Sequence, residues 1–179
     1  VAFGGAGPLH ACQMASNLGM RGILVPLYPG VNSAIGLLQA DVRHDYAVSR
    51  LTLISKLGPR DVAGMLKELA DRARGELRAE GFKAGQIIIE YAIDMRYAGQ
   101  GYELTVPLDS GKVTAKTLAA VRNTFDETHR QLFGHSAPEE PVEVVTYRVV
   151  GIGKLPEVKM PTFRRQGLKL NDAYLGKRT

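Results

Sequence analysis

The stretch best suited to chemistry in this 179-residue chain is Phe3-Gly4-Gly5-Ala6-Gly7-Pro8-Leu9-His10. Gly4, Gly5, Ala6 and Gly7 carry almost no side chain, so their backbone can come close to a bulky group or take positive φ at little steric cost. Pro8 suits the first position of a helix, where its missing N–H is not needed. A bare loop that runs into a helix start offers free N–H groups and the positive end of a dipole, which is an anion site. His10 falls in the first helical turn, within reach of a ligand there. Two readings stay open: a phosphate cradle, or a tight turn needed for packing. No Lys-Ser/Thr follows the glycines, so the stretch is not a P-loop. His10 stands where the dinucleotide fingerprint needs its third glycine.

A second set surrounds a predicted hairpin turn: Asp94, Arg96, Tyr97 and Gln100. Asp94 and Arg96, two apart on a strand, share a face and can pair with each other. Alternatively Arg96 holds a carboxylate or amide oxygen bidentately while Gln100 donates from the loop. Tyr97 falls on the apolar face and reads as core. Asp41, Arg43, His44 and Asp45 include metal-capable groups, but alternation points the neighbours of His44 away from it, and no ligand cluster of standard spacing occurs. His129 and His135 lie at and beyond a helix end and read as surface. Cys12 sits on a helical apolar stripe and reads as core filling. No Ser-His-Asp or Cys-His set is present.

These groups need elements to position them. Val1–Phe3 and Gly22–Pro26 read as short buried strands on either side of the glycine loop and a helix with apolar residues at Leu9, Cys12, Ala15 and Leu18, ended by Gly19. That is a βαβ-like unit, with the loop at the carboxyl end of its first strand. Asn32 or Ser33 caps a brief helix through Leu38. A long strand starts at Asp41. A helix opens at Leu57-Gly58-Pro59 with the stripe Val62, Met65, Leu66, Leu69, Ala73 and Leu77, and Glu68 and Arg72 are spaced to pair. Ile87 to Tyr97 alternates as a strand, and Tyr102 to Val106 completes a hairpin. A helix carrying Leu118, Val121, Phe125 and Leu132 ends at Gly134, and Val142–Val150 is a final strand. The expected class is α+β: residues 1–40 as a partial lobe of glycine loop, helix, strand and short helix, which the resemblance described below makes nucleotide-binding; 41–153 as a ferredoxin-like βαββαβ domain; and 154–179 as a basic Pro-containing tail.

Composition narrows the classes further. The chain is 45% hydrophobic, enough for a sizeable core, and has no apolar run long enough to cross a bilayer. A single cysteine rules out an internal disulfide and suits a reducing, cytoplasmic compartment. Of 23 Lys/Arg, seven lie from Lys154 to Thr179, with only two of the 18 Asp/Glu. The whole excess of +5 therefore sits in the tail, which reads as a solvated or partner-bound segment; no RNA-binding strand signature accompanies it.

The run Val1 to Ala11 resembles a segment of the ATP-dependent hydantoinase A and 5-oxoprolinase family, and is similar to the acetone and acetophenone carboxylase beta subunits. The resemblance continues through Leu24-Val25-Pro26, Pro29-Gly30, Ser33 to Leu38, Asp41 to Tyr46, Asp94 to Leu104 and Pro141 to Val145, in the same order. It implies a C-terminal piece of a protein several times longer, with a lobe like the actin, sugar-kinase and heat-shock ATPases. In such lobes a Gly-Gly loop lies against the nucleotide, which assigns Gly4, Gly5, Ala6, Gly7 and His10 to ATP contact. The implied reaction uses ATP and Mg²⁺ to phosphorylate the amide or enol oxygen of a small cyclic amide, with hydrolysis completed by a second subunit. The acidic residues that orient Mg²⁺ in such folds are absent from this chain, so it is expected to be inactive without the upstream domains of the same polypeptide. Ketone carboxylation and a non-catalytic subunit-interaction module are the alternatives.

Overall fold

The computed structural model describes residues 1–157. They include two compact units, Val1–Gln39 and Ala40–Leu155.

Helix α1 spans Gly7–Asn17 and α2 spans Asn32–Gln39 in the first unit. Ala6 precedes α1, and Pro8 is its second residue, one later than expected. Gly19, with φ +62°, follows the end of α1 as anticipated. The two expected strands are absent. Val1–Phe3 and Gly22–Pro26 are extended only to the extent of one bond, from Ala2 N to Leu24 O at 2.8 Å. A strand requires a ladder on at least one side, and a single bond does not make one. The apolar stripe of α1 is correspondingly open: of Leu9, Cys12, Ala15 and Leu18 only Ala15 is buried, and Cys12 is exposed. The expectation of a core cysteine is therefore corrected.

The second unit holds β1 (Val42–Leu53), α3 (Pro59–Ala79), β2 (Ile87–Tyr97), β3 (Leu104–Leu108), α4 (Ala115–Phe133) and β4 (Val142–Gly153). The strands form one antiparallel sheet in the order β1-β4-β2-β3. Each helix therefore links two parallel strands with a third between them: β4 lies between β1 and β2, and β2 between β3 and β4.

Register decides which residues become core. Tyr91, Ile93 and Met95 of β2 stand opposite Val149, Tyr147 and Val144 of β4, and opposite Leu108, Val106 and Leu104 of β3. All nine are buried or half-buried on the face that receives both helices. From α3 come Val62, Leu66, Ala70, Ala73 and Leu77, and from α4 come Leu118, Val121 and Phe125. Fully burying such a side chain contributes roughly 2 kcal/mol. Leu132 instead points to solvent, and His129 takes its place on the buried stripe.

The helices are set by local chemistry. Gly58 and Pro59 open α3, where the Asp61 carboxylate accepts from Gly58 N at 3.3 Å. Thr114 and Thr117 cap α4 reciprocally, each hydroxyl accepting from the other's N–H at 3.1 Å. Arg72 pairs with Glu76 (2.9 Å), not with Glu68, because Glu76 also accepts from the Tyr46 hydroxyl and Arg72 lies over the Tyr46 ring.

Gly151 on β4 is required by close packing: a Cβ there would meet Ala73 Cβ at 3.0 Å and Leu77 Cδ1 at 3.1 Å. Gly64, exposed in mid-α3, meets nothing within 4 Å. Gly151→Val is expected to cost about 2–3 kcal/mol by overpacking. Gly64→Ala should stabilise by about 0.5–1 kcal/mol. Urea denaturation midpoints of the two variants check both signs.

Candidate functional site

The glycine loop is built by two bonds and one backbone angle. Ala2 N donates to Leu24 O, and Gly4 N donates to Pro29 O, both at 2.8 Å. Between loop and helix, Gly4 turns the chain at φ +84°, which favours glycine. Gly4 thus shapes the loop and spends its own donor internally. Gly5, Ala6 and Gly7 are exposed, and their amides have no acceptor among the described residues. A backbone bond from Leu9 N to Ala6 O (3.1 Å) ties the loop to the first turn. A Cβ on Gly5 or Gly7 would meet nothing within 4 Å, so packing inside this unit does not require these glycines. His10 is exposed in the first turn and has no hydrogen-bond partner among the described residues. A loop of this kind fits an anionic oxygen: it has free N–H groups, an approach without side chains and a helix N-terminus. Behind it lies an apolar hollow of about 310 Å³, lined by Phe3, Ala11, Met14, Leu18 and Ile23 among others.

The hairpin set is arranged differently from the sequence expectation. Asp94 and Arg96 share the face of the sheet away from the helices but do not pair. Each has a partner directly across a strand, and cross-strand neighbours are closer than i,i+2 neighbours. Asp94 stands opposite Thr105 in β3 and accepts from its hydroxyl at 2.7 Å. Its other oxygen accepts from Arg148 Nε at 2.6 Å. Arg96 stands opposite Glu143 in β4 and donates to it at 3.0 Å. Asp94 is only 2% exposed, a buried carboxylate whose charge is met by one guanidinium and one hydroxyl. Gln100 lies in the turn, its N–H bonded to Tyr97 O, and lines a hollow with His129 and His135. The structure therefore does not bring Asp94, Arg96 and Gln100 together around one ligand.

Tyr97 is core, as read from its phase, but it also carries polar chemistry that the sequence did not reveal. Its hydroxyl donates to Asp126 at 2.7 Å and accepts from Ala137 N at 2.8 Å. Burial first, and the Asp126 carboxylate second, raise its phenol above the usual value. Arg122 pairs with the same carboxylate at 2.9 Å and donates to Pro138 O and Glu140 O. His129 is a correction: it is 5% exposed, not surface. The signal was its place four residues after Phe125, which continues the buried stripe. His135 is exposed, as expected.

Asp41 caps the end of the sheet, accepting from Lys154 Nζ at 2.6 Å and from Leu155 N at 3.0 Å. The Lys154 bond holds its carboxyl below the usual range. Lys154 and Leu155, expected in the tail, thus belong to the sheet unit; residues 158–179 of that tail lie outside the described residues. Arg43 pairs with Asp45 at 3.1 Å, and His44 with Glu80 at 2.8 Å. No group of three or more His, Cys, Asp or Glu that could hold a metal ion occurs among the described residues. No helix among them is long and apolar enough to cross a membrane.

Residues 1–46 match the hydantoinase/oxoprolinase family, and residues 59–179 match the hydantoinase/oxoprolinase C-terminal domain. The chain belongs to the hydantoinase/oxoprolinase family. It is 30% identical over 167 residues to caprolactamase subunit alpha of Pseudomonas jessenii, across 90% of this chain and 24% of that protein. The crystal structure of the ATP-dependent caprolactamase from the same organism matches with a TM-score of 0.69 and 27% identity, over 92% of this chain and 25% of that one. Identity to 5-oxoprolinase 1 of Arabidopsis thaliana is 32% over 155 residues, 84% of this chain and 12% of that protein. The nucleotide-free structure of acetone carboxylase shares the fold, with a TM-score of 0.80 at 23% identity over 92% of this chain and 25% of that one. The chain spans a quarter or less of each of these proteins.

Two outcomes test the polar geometry. Asp94→Ala removes the buried acceptor shared by the Thr105 hydroxyl and the half-exposed Arg148 guanidinium, and is expected to cost about 1–2 kcal/mol in urea denaturation. Arg96→Ala, whose partner Glu143 keeps 18% of its side chain exposed where Asp94 keeps 3%, should cost about 1 kcal/mol or less. The Tyr46 phenol, buried and bonded to Glu76, is pushed up to about 12. Its ordinary value is about 10. The folded state thus favours the neutral phenol, so its contribution is complete below pH ~10 and is lost as pH rises through about 12. Ultraviolet titration should show a tyrosinate transition near there, missing in Tyr46→Phe.

Proposed function

We propose that this chain is the C-terminal portion of an ATP-dependent hydrolase of cyclic amides. Family membership and the caprolactamase and 5-oxoprolinase relatives support the reading. The observation that carries it is the exposed Gly5-Ala6-Gly7 backbone, whose N–H groups have no acceptor in the unit and face an approach free of side chains. When bound, ATP supplies a phosphoryl group that turns the amide or enol oxygen of the substrate into a leaving group. The chain's own part is to hold the nucleotide. Gly4 fixes the turn, the amides of Gly5, Ala6 and Gly7 donate to phosphate oxygens, the N-terminus of α1 adds its dipole, and His10 reaches the same place from the first turn. The described residues provide no cluster suited to Mg²⁺. Its ligands are assigned to other parts of the intact enzyme.

In this reading residues 1–40 are the remnant of an actin- and sugar-kinase-like lobe. Residues 41–153 are a variant of the ferredoxin-like plan, in which β4 and β2 are the inner strands. The basic residues that follow Leu155 are assigned to contact with a partner. The intact protein works in the cytoplasm with a second subunit.

A second reading, a subunit-interaction module, is favoured by one observation: the apolar side chains of the first unit are open, with Leu9 79% and Leu37 76% exposed. Ketone carboxylation is the other reaction open to this fold.

Hydrogen exchange on the intact protein separates the readings. ATP should protect the amides from Gly5 to His10, and Gly5→Asp, which sets a carboxylate against the phosphates, should weaken ATP binding at least tenfold. Protection confined to the α1 and α2 faces on adding a protein subunit, with no effect of ATP, would overturn the nucleotide assignment. The isolated chain is expected to release no phosphate from ATP in a steady-state assay.

A further inference from the structure

One corner of the sheet unit holds a hollow of about 220 Å³ that the nucleotide reading does not use. Gln100, Tyr102, Leu104, His129, Phe133 and His135 line it. None is an Asp, Glu, Lys or Arg. The base is His129, only 5% exposed. Its ring stands edge-on to Tyr97, with centroids 4.8 Å apart, and lies 4.8 Å from the Phe133 ring. His129 Nδ1 lies 2.7 Å from the His135 carbonyl oxygen. A carbonyl only accepts, so Nδ1 carries the proton, and in the neutral ring Nε2 is left as a bare acceptor. Nε2 has no partner among the described residues, yet no side-chain nitrogen or oxygen among them is both sealed from solvent and unsatisfied. Nε2 therefore keeps accessible surface, and the hollow that its ring lines is the space beside it. A residue that is nine-tenths buried thus presents to a small aromatic-walled space an acceptor that lacks a donor.

We infer that this hollow binds a small, flat, uncharged heteroaromatic compound carrying an N–H donor. The N–H donates to His129 Nε2. The ring packs against Phe133 and Tyr102, where stacked or edge-on contact is favourable. The side-chain amide of Gln100 at the rim meets a carbonyl or ring acceptor when the ligand has one. A charged ligand is disfavoured because no counter-charge lines the space.

The test compares indole with 1-methylindole, the same ring without the N–H, on the full chain labelled with ¹⁵N at histidine. Indole should shift the His129 Nε2 resonance saturably, and 1-methylindole should bind roughly threefold to tenfold more weakly, as one neutral hydrogen bond requires. Tyr102→Ala, at an exposed position that leaves the core intact, should weaken indole binding by a similar factor. His129→Phe should abolish the difference between the two probes; should that variant not fold, the probe pair and the Tyr102 variant still decide. No saturable shift up to the solubility of indole, or equal affinity for both probes, would overturn the assignment. So would Zn²⁺ binding at His129 and His135 with no response to indole, which would make the hollow a metal site instead.

Discussion

The close approach of α3 to β4 is the constraint on which the sheet unit depends. Gly151 lets the small side chain of Ala73 come within van der Waals reach of the strand backbone. With a side chain there, helix and sheet would separate, and Val62, Leu66 and Leu77 would lose the contacts that bury them. Gly153 continues the accommodation one pleat further, where a Cβ would lie 2.7 Å from the Phe82 ring. Small residues on an inner strand thus set the spacing of the layers, and the large apolar residues fill what that spacing leaves.

The face without helices is ordered by charge in register. Asp94 with Thr105 and Arg148, and Arg96 with Glu143, lie across strands, so each pair also reports strand alignment. A slip of one residue would turn Asp94 towards the apolar core, where no partner waits. On the helix side, Tyr97, Asp126 and Arg122 do the equivalent for the chain between α4 and β4, fixing Ala137 to Glu140 through backbone atoms.

Much of this was legible in the sequence. Alternation in Ile87–Tyr97 and the stripe of α3 gave elements and faces correctly, because burial on one face leaves a period that neighbours cannot disguise. The family was legible as well, from motifs in order along most of the chain. What the residues could not reveal was partnership across distance. Asp94 reads equally well beside Arg96 as beside Arg148; the register chooses, and the bulge between Asp94 and Met95 puts Arg96 opposite Glu143. His129 was misplaced because a polar residue on an apolar stripe reads as an end when its bonding partner, a carbonyl six residues on, is unknown. The two short strands of the first unit failed for another reason. A strand is a property of its neighbours, and the single bond from Ala2 to Leu24 shows how little of one survives without them.

The strand that arrives last in the chain lies between two that arrive earlier. Until residues 142–153 leave the ribosome, β1 and β2 have no common neighbour, and α3 has nothing to lie upon but their unjoined edges. Closure of the sheet must therefore wait for synthesis to reach its far end, and a nascent chain halted before Gly153 holds an apolar helix and two open edges at once. Such high sequence separation slows folding and lengthens exposure to aggregation. The order of the strands makes this unit an all-or-none product of translation.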